Sequence, residues 1–596
     1  MRSFGFTLTH FRYAVFALSV HLWAVTGIRP AAAQDAKVDD KLATQAQDIL
    51  RKNCAKCHGP DSTGEGNMRY ILDAKRLIES KKILPGDSAK SKLLKLIRAG
   101  EMPPEDETVR PSKEEIAVLE QWVKAGAPAV AAGDEIARPF LTEKDTLTAI
   151  RDHLRKTARE DRKYQRYFTL TNLHNNKGVK QGDLRQFRAA LAKVVNSLSW
   201  KAAIVVPEAV DAAQVVLVVD LRKLDWDRFN LWTEVLKQYP YGLKNNRYPD
   251  NREINDLARE VYELSDTDLP AVRADWFIAT ATRPPLYHTL LRLPKNAYEL
   301  ERSLKVDVAA NFGRDQLARA GFATSGVSGQ NRLIERHESA YGAYWKSYDF
   351  KSNDGRGNLF TYPLGPEFRD NRYPRQAFKH DGGEIIFNLP NGLQAYLLVN
   401  GKDERIDVGP IEVVSDGLKT SGTSQIVNGL SCLACHGNGM KSEFKDTVRD
   451  GSALAGSARD KLRRLYPGPE NMQKLVREDE ERFLAALEKA TGKFLKVGPD
   501  KDKAIKDFAE PVGPLARMYI LRELSVEEAA IELGLPDANA LKGAIQANEA
   551  LKRLGLGPLA TGATIKREAW ESKSKFNSPF QEAASALERG TPKNYQ

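Results

Sequence analysis

The chain has 596 residues, of which 42% are hydrophobic and 28% charged, with a net charge of +11. That length exceeds a single hydrophobic core, so roughly three or four domains are expected, and the composition excludes a disordered protein. The basic balance suits an acidic partner or a membrane surface, whereas a nucleic-acid role is disfavoured because the charge is spread out and no binding motif is present.

Residues 1–33 read as an export signal. Arg2 and Arg12 give a positive start, AVFALSVHLWAVTGI an apolar centre, and Ala31-Ala32-Ala33 a small-residue cleavage pattern. The apolar run falls short of the ~20 residues that span a bilayer, although an uncleaved anchor is the alternative. Removal takes Arg2, Arg12 and Arg29 and no acidic residue, which lowers the net charge by three. No second long apolar run follows, so no transmembrane span is expected in the mature chain. Export to the periplasm means an oxidising compartment, where unused cysteines tend to pair. Here none is left over: Cys54, Cys57, Cys432 and Cys435 all fall in two C-x-x-C-H motifs, completed by His58 and His436.

That spacing has a mechanical reason. Two thiols separated by two residues can each form a thioether with a vinyl group of haem, and the adjacent histidine then lies under the iron. A redox dithiol, a zinc site or a structural disulfide are the competing readings. A dithiol has no need of the histidine, and zinc needs four converging ligands. Two matches that use every cysteine point to two covalently attached c-type haems.

Around the first motif, DKLATQAQDILRKNCAKCH reads as a helix with Leu42, Ile49 and Leu50 on one face. SKLLKLIRAG is a short amphipathic helix ended by Gly100, and Met102 follows at once in EMPP. A thioether held on a proline-constrained loop is placed for the sixth iron position, and His/Met ligation suits electron transfer. The closing helix begins at Ser112 with Glu115 three residues on, a capping box, and runs to Gly126. CAKCHG at 54–59, LPGDSAKSKLLKLI at 84–97, EMPP at 101–104 and QWVKAGA at 121–127 together resemble the planctomycete-type cytochrome c domain. The resemblance covers about one seventh of the chain. It implies an all-α cytochrome fold with one covalent haem and His58/Met102 ligation.

These readings set the expected domains: a signal at 1–33, a cytochrome c domain at 34–127, a linker at 128–141, a mixed α+β domain at 142–445 and a mainly helical region at 446–596. The linker rests on the Ala/Pro/Gly run AGAPAVAAGD. Within the mixed domain, TEKDTLTAIRDHLRKTARED and LRQFRAALAKVVNSL read as helices and QVVLVVDLRKL as a buried strand. EIIFNLPNGLQAYLLVN reads as a hairpin about Asn391-Gly392. YGAYWKSYDF carries five aromatics in ten residues, which suits core packing, with a haem wall as the second reading. Together with ERHESAYGAYWKSYDF and HDGGEIIF, the second motif stretch NGLSCLACHGNGM resembles a group of exported bacterial multihaem cytochromes, a resemblance that carries no substrate.

The sixth ligand of the second iron is not written beside its motif. Met440 lies only four residues from His436, too near to reach the opposite face easily. The candidate distal ligands are His337, then His288, then His380, with an open position as the alternative and Met518 as a runner-up. From residue 446 onward the chain reads as mainly helical. PENMQKLVREDEERFLAALEKATG ends at Gly492, LSVEEAAIELGL and ANALKGAIQANEALKRLGLG each stop at glycine, and the polar tail after Trp570 is expected to fray.

The function that follows is electron transfer through two haems, with redox protein partners as donor and acceptor. A dihaem peroxidase or oxidase with an open site at the second haem is the alternative. There His337, Glu384 or Arg336 would serve as acid–base or charge-stabilising groups. A haem-based redox or gas sensor is the third class.

Overall fold

The computed structural model describes residues 31–59, 68, 70–105, 107, 109–128, 138–245, 252–442, 444–573 and 576–596. The expected signal, through residue 30, and the expected linker between 129 and 137 lie outside the described residues. The chain divides into two compact units, Met1–Gly59 with Tyr70–Gly133 and, chiefly, Asp134–Gln596. Among the described residues no helix is long and apolar enough to cross a membrane.

The regular elements of the first unit are helices: α1 (Ala31–Asn53), α2 (Ala55–His58), α3 (Ala74–Glu79), α4 (Lys92–Arg98) and α5 (Lys113–Lys124). α1 packs on α5, burying Ala43, Ala46 and Leu50 with Leu119, Trp122 and Val123. Each large apolar side chain removed from water there contributes about 1.5–3 kcal/mol. The capping box forms as the sequence indicates, with the Ser112 hydroxyl accepting from Glu115 N–H and the Glu115 carboxylate from Ser112 N–H. Gly100, at φ +74°, ends α4 in the left-handed conformation that spares a Cβ clash.

The second unit is mixed. β1 (Gln165–Thr169), β2 (Glu208–Ala209), β3 (Val216–Asp220), β4 (Leu243–Lys244) and β5 (Ala271–Arg273) precede a second sheet of β6 (Ala318–Phe322), β7 (Arg332–Ser339), β8 (Gly342–Asp349), β9 (Gly382–Asn388) and β10 (Gln394–Asn400). The first sheet has the order β2-β3-β1-β5, while β4 pairs with Thr591–Pro592. β3 stops at Asp220 because its carboxylate accepts from Arg222 N–H and starts a helical turn. β6–β10 form an antiparallel meander, closed between β9 and β10 by the expected turn with Gly392 at φ +91°. Alternation sorts the meander into two faces. The pairs Arg332↔Asp349, Ile334↔Ser347, Trp345↔Ile386 and Glu384↔Leu398 share one face, and Leu333↔Tyr348, Glu335↔Lys346 and His337↔Tyr344 the other.

One apolar core runs across residues 445 and 446, holding Leu430 and Cys432 together with Val476, Val512, Tyr519 and Trp570. Three local expectations change. The helix from Pro469 continues through Gly492 to Leu495, because Phe494 and Leu495 bury apolar surface beyond the glycine. The helix expected over 538–557 breaks at Asn548, whose side chain accepts from Ala550 N–H and caps a new turn. Described residues of the tail after Trp570 pack on the core. Pro579–Ala586 is a helix with Phe580, Ala583 and Ala584 in the core, and the last strand pairs with β4.

Candidate haem-attachment sites

The first motif continues the last turn of α1. Cys54 N–H donates to Leu50 O at 2.9 Å, His58 N–H to Cys54 O at 3.0 Å, and Ile71 N–H to His58 O at 3.0 Å. Cys54, Cys57 and His58 are half-buried, and His58 Nδ1 is enclosed without a hydrogen-bond partner. Burial and the neighbouring Cys57 push the Cys54 thiol up to about 12. Met102, also half-buried, follows α4, with its N–H on Leu96 O at 3.2 Å.

The second motif lies on the helix Leu430–Cys435, which starts at Gly429. Gly429 has φ +86°, and a Cβ there would stand 2.5 Å from Thr282 O and 2.8 Å from the Tyr287 ring. Only glycine permits both the turn and this approach. At the other end, His436 N–H donates to Cys432 O at 2.8 Å, and Gly439, at φ +93°, turns its carbonyl back to His436 Nδ1 at 3.1 Å. A carbonyl oxygen only accepts, so Nδ1 is the donor in this bond and Nε2 is the nitrogen turned to the cavity, the arrangement of a metal-ligating histidine whose other nitrogen is held by a carbonyl. The Tyr396 ring stacks on the imidazole, 5.8 Å between centroids and 28° between planes.

Cys432, Cys435 and His436 open onto a cavity of about 440 Å³. Its apolar wall includes Phe322, Ile334, Trp345, Ile386, Leu398 and Val414. Polar side chains share the wall, among them Lys441, Lys445 and Asp416 and one ionic group nearest His436. Glu384 Oε2 lies 3.8 Å from His436 Nε2 and 3.7 Å from Arg332 Nη2, while Arg332 Nε lies 3.0 Å from Asp349 Oδ1. Burial opposes the Glu384 charge, but His436 and Arg332 outweigh it and hold the carboxyl down to about 2. Asp349 goes the other way, since burial exceeds the help from Arg332. Burial likewise pushes the Cys435 thiol up to about 11 and Cys432 well above the ordinary thiol range.

Residues 54–106 match the planctomycete cytochrome c family. The match begins on the first attachment cysteine and takes in Cys57, His58 and Met102, so this segment is a planctomycete-type cytochrome c domain, and covalent haem is the cofactor it implies. No curated protein and no solved structure matches the chain.

The cytochrome c match stops far short of the second motif, where the three candidate distal histidines do not line the cavity. His337 sits on the far face of β7, its Nε2 2.8 Å from Glu335 Oε1 and its Nδ1 taking the Asn311 amide at 3.1 Å. Glu335 is also held by Arg319 and Tyr348 in a fully buried ionic group, where burial opposes its charge but the guanidinium keeps it ionised. His288 Nε2 accepts from Asn428 Nδ2 at 2.8 Å, so this histidine braces the loop that leads into the motif. His380 packs edge-on against Tyr348, with Nε2 3.7 Å from Asp403. Met518 packs on the core away from the cavity. Met440, in contrast, is on the cavity wall, because the Gly439 turn brings the chain back past His436. Of the five aromatics at 341–350, Trp345 lines the cavity, Tyr344, Tyr348 and Phe350 are core, and Tyr341 is exposed. Of the acid–base candidates, Glu384 faces His436, whereas Arg336 is paired with Asp479 at 2.8 Å. Arg332, Ser347 and Asp349 escaped the sequence reading; their alternation along β7 and β8 with a glutamate on β9 was the available signal.

Proposed function

We propose that the chain is an exported dihaem c-type cytochrome that transfers electrons between protein partners. In this reading Cys54 and Cys57 would hold one haem, with His58 and Met102 as its iron ligands. Cys432 and Cys435 would hold the other, with His436 as an iron ligand. The observation that carries the proposal is the apolar cavity onto which His436 directs Nε2 while Gly439 fixes Nδ1. A dithiol or a structural disulfide has no use for such a volume beside an oriented imidazole, and the size suits an organic cofactor. Haem held there supplies a one-electron couple. The chain's own part is to exclude water with the apolar wall, orient the imidazole, and set the charge around it. Thioether ligation by Met102 raises the potential of the first site, whereas the Glu384 carboxylate beside His436 lowers that of the second.

One observation favours the peroxidase- or oxidase-like reading as the second. None of the three histidines considered for the sixth position lines the cavity, and Arg332 and Glu384 stand on its wall. An exchangeable iron position there would have a fixed cation and a carboxylate within reach for a small oxidant.

The test is a pyridine haemochrome assay against protein concentration, with visible spectra before and after carbon monoxide. Two haems per chain are expected, and a single haem overturns the proposal. Two six-coordinate irons that ignore carbon monoxide leave electron transfer alone and eliminate the enzyme reading.

A further inference from the structure

A second, larger cavity of about 1160 Å³ lies in the second unit and shares no lining residue with the one at His436. Its wall is polar and aromatic, with Trp232, Tyr262 and Tyr595 beside Asn230, Thr233 and Asn245. Arg166, at the start of β1, is on this wall and only 7% exposed. Its Nη1 donates to the carbonyls of Lys163, Gln165 and Ser265 at 2.9, 2.7 and 3.4 Å. Its Nε is enclosed without a partner, and among the described residues no carboxylate stands within ion-pair distance of the guanidinium. Burial lowers this guanidinium to about 10.

A buried charge left unpaired is strongly unfavourable, so proteins pair it or supply it with a ligand. Elsewhere in this unit Arg273, Arg319 and Arg567, at least as buried, each contact a carboxylate; Arg188, which does not, lines neither cavity and bonds the Gln214 carbonyl. Of the acids on this wall, Asp266 acts on the guanidinium from beyond ion-pair distance, and Asp268 is already shared by Lys244 at 2.6 Å and Lys593 at 2.8 Å. Lys163 adds a further cation at the exposed rim. The guanidinium fork matches a carboxylate or a phosphate, and amide and hydroxyl groups around it match a hydroxylated carrier. We propose that this cavity binds a small hydroxylated organic oxyanion, of the acidic or phosphorylated sugar class, with Arg166 as its anchoring charge.

The experiment is isothermal titration calorimetry on the full-length haem-loaded protein with three probes: glucuronate, glucose 6-phosphate and glucose. At least one anion should bind roughly tenfold or more tightly than glucose, and which one does separates a carboxylate site from a phosphate site. Arg166→Gln should bring that anion to the level of glucose while the haem absorption stays unchanged. Lys163→Ala, at the exposed rim, should weaken it about threefold without touching the core. If neither anion binds better than glucose, the proposal fails. It fails equally if both variants bind the anion as well as the native protein. Should Arg166→Gln not fold, the comparison of the three probes on native protein and on Lys163→Ala decides.

Discussion

Replacing Glu384 by glutamine probes the charge around the second motif. The change preserves volume, exchanges one acceptor oxygen for an amide donor, and removes one negative charge 3.8 Å from His436 Nε2. At an effective dielectric of about 20, a unit charge at that distance acts on a unit positive charge with about 4 kcal/mol. Arg332, 3.7 Å from the same oxygen, already offsets part of this field. Taking roughly half leaves about 2 kcal/mol, which for a one-electron couple is ~90 mV. The carboxylate favours the oxidised, more positive state, so Glu384→Gln should raise the midpoint potential of the second haem by about 50–150 mV.

On the dihaem reading, a spectroelectrochemical titration at neutral pH reads both midpoints in one sample, and the first haem would serve as the internal reference because the substitution lies outside its proposed ligands. A shift below about 20 mV, or a downward one, with both haems still attached would refute the reasoning. It would mean that solvent or a rearranged Arg332 screens the carboxylate from the imidazole, and that the low potential assigned to this site has another source.

Three further outcomes are expected. His288 is held down to about 4 by burial and by Arg405, so the unfolded chain takes up a proton near pH 6.5 that the folded chain refuses. Stability is therefore lost as pH falls from about 6.5 towards 4, by up to ~3 kcal/mol from this group; urea unfolding of His288→Asn at both ends of the window should give a flatter dependence than native, and equal slopes would dismiss the assignment. His337→Asn should cost about 1.5–3 kcal/mol by breaking the bond to buried Glu335, with the visible spectrum unchanged. A change in the low-spin bands instead would make His337 a ligand after all. Replacing Cys432 and Cys435 together by serine should leave one haem per chain, still carrying the spectrum of the first site; loss of both haems would tie the two attachments together.

What the sequence revealed about this molecule was local. A capping box is three residues of contact, so Ser112 and Glu115 announced the start of α5; an Asn-Gly pair between apolar runs announced the β9–β10 turn. The attachment motifs are legible for the same reason, since the thiols and histidine act within one helical turn. The three sixth-ligand candidates do not line the cavity, and their placement depends on information of another kind. His337 precedes an aromatic block in sequence, but strand parity puts it on the face opposite Arg332 and Ile334, and which face the meander turns to the cavity depends on what packs behind it. The charged residues that fill that rear face, Arg319, Glu335 and Lys346, read in a sequence as surface. His288 does serve the second motif, but through Asn428, 140 residues away, a contact no local pattern encodes. A histidine near a haem motif in sequence is thus weak ground for ligation. The stronger signal was the alternation of Arg332 and Ile334 on β7, Ser347 and Asp349 on β8 and Glu384 on β9: polar residues placed on the inward face of buried strands, where only a bound group or one another could satisfy them.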